Sequence, residues 1–167
     1  MTTSFLALGS NLDNPIHQLD CAIQEITQLP RTQVTKQSNY YQNPPMGPQD
    51  QPHYVNAVIQ ITTELTAIQL LQHCLAIETK MGRQRQQHWG ARVIDIDIIL
   101  YGNECIQTDS LTVPHYDLKN RPFVLIPLIA IAPDTTLPSG ERVDSFIKKG
   151  DAATLTQLGT TITGATT

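Results

Sequence analysis

The sequence predicts an α+β fold of order β-α-β-β-α-β, and three observations predict it. Two segments carry apolar residues at steps of three and four, as helices do. Four others read as strands, three of them rich in β-branched and aromatic residues, and the cleanest alternates in and out with period two. The two kinds follow one another in that order along 167 residues, a length that suits one domain with a real core.

Each element has its own warrant. Residues 4–8 read as a first strand, ended by Gly9. Asn14 and Pro15 then open a helix as N-cap and first helical residue, with Ile16, Leu19, Ile23 and Ile26 forming one apolar stripe. Residues 34–42 read as a second strand. The run N-P-P-M-G-P that follows holds three prolines and reads as a stiff loop.

Residues 53–62 form a third strand, with Tyr54, Asn56, Val58 and Gln60 on one face and Val55, Ala57, Ile59 and Ile61 on the other. Thr66 and Gln69 make a capping box that opens a second helix, running to about Met81. Residues 83–91 are polar and break the periodicity, so they read as a loop. Residues 93–101 are the fourth strand, and a short return strand is expected near residues 105–107. Residues 123–132 read as a helix interrupted by Pro127, and 144–149 as a short helix. This is the split βαβ arrangement of ferredoxin-like folds, an antiparallel sheet with helices on one face and the other face free for a site, plus C-terminal additions to that core. Residues 1–159 are expected to be one domain, and the Thr-rich residues 160–167 a frayed tail.

Composition excludes several classes. The formal net charge of −4 gives no general attraction to nucleic acid or to an anionic membrane. No segment approaches the ~20 apolar residues of a membrane span, and the start of the chain lacks the charged region of a signal peptide. Cys21, Cys74 and Cys105 are odd in number and far apart, which points to a reducing cytoplasm rather than a disulfide framework. No pair of histidines has zinc spacing, and no Walker-type phosphate loop is present.

The chemistry concentrates in R-V-I-D-I-D-I-I-L-Y-G, residues 92–102. By alternation Asp95 and Asp97 share one face with Val93, Ile99 and Tyr101, while Ile94, Ile96, Ile98 and Leu100 supply the core. Carboxylates about 6 Å apart repel by roughly 3 kcal/mol at an effective dielectric of 20. A hard cation such as Mg²⁺ between or near them removes that penalty. Two solvated aspartates, or two paired with arginine, would remove it as well. Arg83, Arg85, Arg92, Lys119 and Arg121 put five of the eleven Lys and Arg residues around this strand, and guanidinium forks suit phosphate oxygens. Glu78 falls on the apolar stripe of its helix and needs a partner, either an arginine or a ligand. His115 and Tyr116 offer an imidazole and a ring from a loop.

With these motifs in place the chain closely resembles the 6-hydroxymethyl-7,8-dihydropterin pyrophosphokinase family. The resemblance is collinear over roughly residues 5–134 and includes A-L-G-S-N-L, N-P-P-M-G-P-Q-D-Q-P-H-Y-V-N-A, W-G-A-R-V-I-D-I-D-I-I-L-Y-G and L-T-V-P-H-Y-D-L-K-N-R-P-F-V-L-I-P-L. It implies transfer of pyrophosphate from ATP to the pterin's hydroxymethyl oxygen, with release of AMP, in folate biosynthesis. It implies two Mg²⁺ ions on Asp95 and Asp97, with Arg83 and Arg92 completing the catalytic set. The pterin would lie between Tyr54 and Phe123, read by Asn56 and by the loop at Pro44 and Met46. Glu78, Arg85, Trp89, Arg92, Ile98, His115, Tyr116 and Arg121 match nucleotide-side positions. His88 and Leu75 depart from the family's usual basic and polar residues. A monomer with no nucleic-acid or membrane partner is expected.

Two rivals remain at this stage. A nucleotidyl transferase on the same sheet would need a basic groove that this net-acidic chain does not supply. A non-catalytic sensor would have no use for both aspartates and the full arginine set.

Overall fold

A computed structural model describes residues 1–12, 14–44, 53–82 and 93–158. The strands are β1 (Thr2–Ser10), β2 (Thr32–Gln37), β3 (Tyr40–Asn43), β4 (Tyr54–Thr63), β5 (Asp95–Tyr101), β6 (Ile106–Gln107), β7 (Thr112–Val113) and β8 (Thr156–Leu158). The helices are α1 (Pro15–Thr27), α2 (Ala67–Met81) and α3 (Pro122–Ile131). The main sheet runs β5-β1-β4-β3-β8, with β2 also on β4, and its strand pairs are antiparallel. Counting β2 and β3 as one interrupted strand recovers the expected ferredoxin-like core. Among the described residues no helix is long and apolar enough to cross a membrane.

The second strand is broken because Ser38 leaves the ladder. Its backbone N–H donates to the Val58 carbonyl, while its Oγ accepts from the Val58 N–H. The capping box at Thr66 forms as expected, with Gln69 N–H donating to Thr66 Oγ1 and Thr66 N–H to Gln69 Oε1. Asn14 differs from expectation. It adopts a left-handed conformation (φ 63°) and makes no side-chain cap, so only its carbonyl enters the helix, accepting from Gln18 N–H. The short helix expected at residues 144–149 is a 3₁₀ turn, Val143–Phe146.

α1 and α2 cover one face of the sheet. Leu19, Ala22, Ile23 and Ile26 from α1 and Leu70, Cys74 and Ile77 from α2 pack on Leu6, Leu8, Val55, Ala57, Ile59, Ile61, Ile96 and Ile98. The opposite face is not wholly free, which corrects the sequence reading. α3 lies on it and seals Phe5, Val58, Ile99 and Leu100 under Val124, Leu125 and Leu128. α3 also runs unbroken through the buried Pro127, because an all-apolar helix gains more from packing than one missing N–H costs.

The strict alternation expected in β5 fails at its centre. Phe5 pairs with Leu100 but Leu6 pairs with Ile98, so Ile99 is an extra residue in a β-bulge. Beyond the bulge, Leu100 turns to the α3 side and Tyr101 to the α1–α2 side, the reverse of the simple pattern. The carbonyls freed there are used. Ser4 Oγ donates to Leu100 O at 2.6 Å, and His115 N–H donates to Ile99 O at 3.1 Å. The bulge therefore tethers the segment that carries His115.

Candidate active site

The site starts where α3 stops. On β1, Phe5, Ala7 and Gly9 face the α3 side. The registers set Gly9 between Asn56 of β4 and Asp95 of β5, and Ala7 between Val58 and Asp97. Two small residues thus form the floor, while longer polar ones rise from the strands on either side. The cleft above has a volume of about 310 Å³, and its lining includes Gly9, Asn43, Tyr54, Asn56, Asp95, Asp97, Arg121 and Phe123. That volume falls at the small end of small-molecule sites. A Cβ on Gly9 would stand 2.9 Å from Asn56 Oδ1, so any larger residue must push that amide aside.

Strands lie ~4.8 Å apart, so Asp95 and Asn56 are separated by about 10 Å across β1. The cleft therefore has a carboxylate end and an amide-and-ring end. At the ring end Tyr54 and Phe123 both line the cleft, one from β4 and one from the first turn of α3. Asn43, at the close of β3, accepts at Oδ1 from Asn56 Nδ2.

At the other end, Asp97 Oδ2 lies 3.9 Å from His115 Nε2 and 4.0 Å from Arg121 NH1. Arg121 joins the two ends. Its Nε donates to Asp117 Oδ2 at 3.2 Å, and its guanidinium carbon lies 5.7 Å over the Phe123 ring. Asn120 and Arg121 together hold the Asp117 carboxyl below the usual carboxylate range. Burial pushes the His115 imidazole below its ordinary pKa, against the opposing pull of Asp97. His115 Nδ1 accepts from Asp117 N–H at 3.1 Å, which fixes the neutral tautomer with its proton on Nε2, toward Asp97. Tyr116 stacks on His115, with ring centroids 4.8 Å apart, and is 79% exposed.

The donor set suits a divalent cation. Asp97 is 45% exposed at its side chain, and the His115 imidazole and the Arg121 guanidinium both stand beyond hydrogen-bond distance. Among the described residues no group of three or more His, Cys, Asp or Glu could hold a metal by itself. A divalent cation that keeps waters and shares substrate phosphates needs only one or two carboxylates from the protein, and Asp95 and Asp97 both line the cleft.

Other expected site residues lie elsewhere. Glu78 is 6% exposed and is not part of the cleft lining; its Oε2 accepts from the Ile96 N–H at 2.7 Å. There it sits beside Cys74, whose thiol is pushed up to about 12 by burial, then by the Glu78 and Asp97 charges. The Ile98 side chain is in the core at 4% exposure. Lys119, counted with the basic cluster, is turned to Glu141 at 3.2 Å and to the Phe146 ring. Pro44 takes a hydrogen bond from Asn43 at the mouth of the ring end. Met46, Arg83, Arg85, Trp89 and Arg92 lie outside the described residues, as does His88. The segment that carries the arginines is bracketed by Gly82 and Val93, which are in contact: a Cβ on Gly82 would lie 2.6 Å from Val93 Cγ2.

Sequence reasoning did not pick out Ala7, Gly9 or Asp117 as site residues, nor the Asn43 side chain. Gly9 carried a usable signal, a glycine closing a strand in the same fold as an exposed aspartate pair.

A sequence profile of the 7,8-dihydro-6-hydroxymethylpterin-pyrophosphokinase (HPPK) family matches residues 5–133. The chain belongs to this family. The 2-amino-4-hydroxy-6-hydroxymethyldihydropteridine pyrophosphokinase of Haemophilus influenzae is 48% identical over 149 residues, covering 89% of this chain and 93% of that protein. The enzyme of the same name from Pseudomonas aeruginosa is 41% identical, covering 86% and 88%. In three dimensions the chain is similar to Plasmodium falciparum HPPK-DHPS, with a TM-score of 0.69 at 14% identity. It spans 43% of that longer protein, and 87% of this chain is matched, which supports the fold. The chain is thus an ATP-dependent pyrophosphokinase acting on a hydroxymethyldihydropterin in folate biosynthesis. ATP chemistry of this kind calls for a divalent metal in general.

Proposed function

We propose that the two ends of the cleft divide the reaction, the pterin at the ring end and the triphosphate at the carboxylate end. One observation carries this reading: Tyr54, Asn56 and Phe123 share a cleft with Asp95 and Asp97, with the small residues Ala7 and Gly9 of β1 on the floor between them. The flat ring is held between Tyr54 and Phe123, with Asn56 reading its edge, and Pro44 and Met46 are assigned to the same slot. The hydroxymethyl arm then extends over Gly9 toward the aspartates. Its oxygen attacks the β-phosphorus, the bond from that phosphorus to the α-bridging oxygen breaks, and AMP leaves.

Asp95 and Asp97 would hold two Mg²⁺ ions. Such ions supply charge neutralisation on the phosphates and a template for in-line displacement. Arg121 is assigned to phosphate oxygens, and its position over the Phe123 ring supports a role beside the ring slot. His115 offers an Nε2–H donor on the same side, and Tyr116 an exposed ring. Arg83, Arg85 and Arg92 are assigned to the phosphates, with Arg83 and Arg92 meeting the charge that develops in transfer. Trp89 is assigned to sealing the nucleotide. Glu78 and Ile98 would act at the open edge of β5, Glu78 through its hold on the Ile96 N–H and Ile98 through main-chain groups, since its side chain is in the core. Three free cysteines fit a cytoplasmic location, and we take the working unit to be the monomer.

The direct test is AMP release from ATP and Mg²⁺ with and without 6-hydroxymethyl-7,8-dihydropterin. AMP that forms only with the pterin supports the assignment. Equal AMP without it, or none with it, would count against this division of the cleft.

A further inference from the structure

The ring end of the cleft holds a chain of hydrogen bonds whose direction is set from outside the cleft. Asn43 Nδ2 donates to the Pro44 carbonyl at 3.0 Å. A carbonyl can only accept, so this contact fixes the Asn43 amide with its nitrogen toward Pro44 and its oxygen toward Asn56. That oxygen accepts from Asn56 Nδ2, which fixes the second amide in turn. The Asn56 oxygen is left over Gly9, on the floor of the cleft. Both side chains are buried, Asn43 at 6% and Asn56 at 7% exposure, so water cannot easily replace a lost partner. Reversing Asn43 would set oxygen against oxygen at Pro44 and nitrogen against nitrogen between the pair, and reversing Asn56 would set its oxygen against the Asn43 oxygen.

We propose that Asn43 is a positioning residue that holds the Asn56 amide with its acceptor toward the cleft, and so selects a ring edge that carries N–H donors. The proposal rests on the reading of this end as the pterin slot. A pterin has one edge with adjacent donors, the 2-amino group and N3–H, flanked by the acceptors O4 and N1. An unconstrained amide could rotate to suit either kind of edge. A fixed one penalises a ring that presents an acceptor, because the buried Asn56 oxygen is then left unpaired. Gly9 belongs to the same device, since it leaves room for that oxygen.

The test compares 6-hydroxymethylpterin with the matching isopterin, the 4-amino-2-oxo isomer, in which a carbonyl replaces the 2-amino group and N3 carries no hydrogen, so both adjacent donors become acceptors. Dissociation constants are measured by calorimetry on the full chain with Mg²⁺ and a non-hydrolysable ATP analogue. The parent protein should favour the pterin by about tenfold or more. Asn43→Leu should reduce that preference to about twofold, because the Asn56 amide becomes free to turn. Asn43→Asp keeps an acceptor for Asn56 Nδ2 and should retain the preference even if both affinities fall. If Asn43→Leu does not fold, Asn43→Ala makes the same comparison. A leucine or alanine variant that keeps the parent's preference, or an aspartate variant that loses it, overturns the proposal. Asn56→Leu separates the two levels. If it leaves pterin affinity unchanged, the slot itself has been misread; if it weakens binding while Asn43→Leu keeps the preference, only the relay fails.

Discussion

The two faces of the sheet are built from the same strands and do opposite things. Toward α1 and α2, β1 presents Leu6 and Leu8, β4 presents Val55, Ala57, Ile59 and Ile61, and β5 presents Ile96 and Ile98, all at 4% exposure or less. Toward α3, the same strands present Phe5 and Val58 under the helix, then Ala7, Gly9, Asn56, Asp95 and Asp97 past its end. The change from large apolar to small and polar occurs within each strand, where the covering helix runs out. Stability and function are thus divided by face and then by distance along it. The side chains that hold the sheet are not those that would hold substrate.

That division can be broken from either side. The largest effect is expected at the carboxylate end. Asp97→Ala should lower kcat by ~10³-fold or more, about 4 kcal/mol, with little change in folding stability. Steady-state AMP release and a urea melt check the two halves of that statement. On the opposite face, Leu70→Ala removes a fully buried side chain and should cost ~2–5 kcal/mol of stability. Its KM for the pterin, measured below the melting transition, should match the parent's. A shift in KM would mean that the two faces are coupled.

Within the site face the ring end can be separated from the phosphate end. Phe123→Ala should weaken pterin binding by ~1–3 kcal/mol, the worth of a stacking partner. Calorimetry with the ATP analogue bound measures it, and an unchanged affinity would remove Phe123 from the slot. The smallest effect belongs to the helix face. Thr66→Ala breaks the capping box of α2 and should cost ~1 kcal/mol, read as a lower melting temperature with unaltered kinetics.

Much of this was legible in the sequence for a definite physical reason. β4 has a strict period of two, so the placement of Tyr54 and Asn56 on one face follows from alternation alone. The same rule succeeded for Asp95 and Asp97 and failed for Leu100 and Tyr101, because the bulge at Ile99 lies between them. A bulge of this kind is set by the partner strand and by the chain that uses its free carbonyl, here His115, and neither is visible locally. α3 was recognised as a helix, but every residue from Pro122 to Ile131 is apolar, so no periodicity told which sheet face it would cover. The short β8, on the outer edge of β3, carries too little pattern to announce a strand. In the site, the aspartates stood out by type, whereas Tyr54 and Phe123 were marked only by the family resemblance. Ala7 and Gly9 did not stand out, since their role is the space they leave.

Ring and phosphates are proposed to occupy separate ends of one cleft. This division is tested most directly by titrating Asp97→Ala with 6-hydroxymethylpterin in a calorimeter, alongside its turnover. The pterin dissociation constant should stay within about threefold of the parent's while turnover is lost. A fall in pterin affinity as large as the fall in turnover would contradict it.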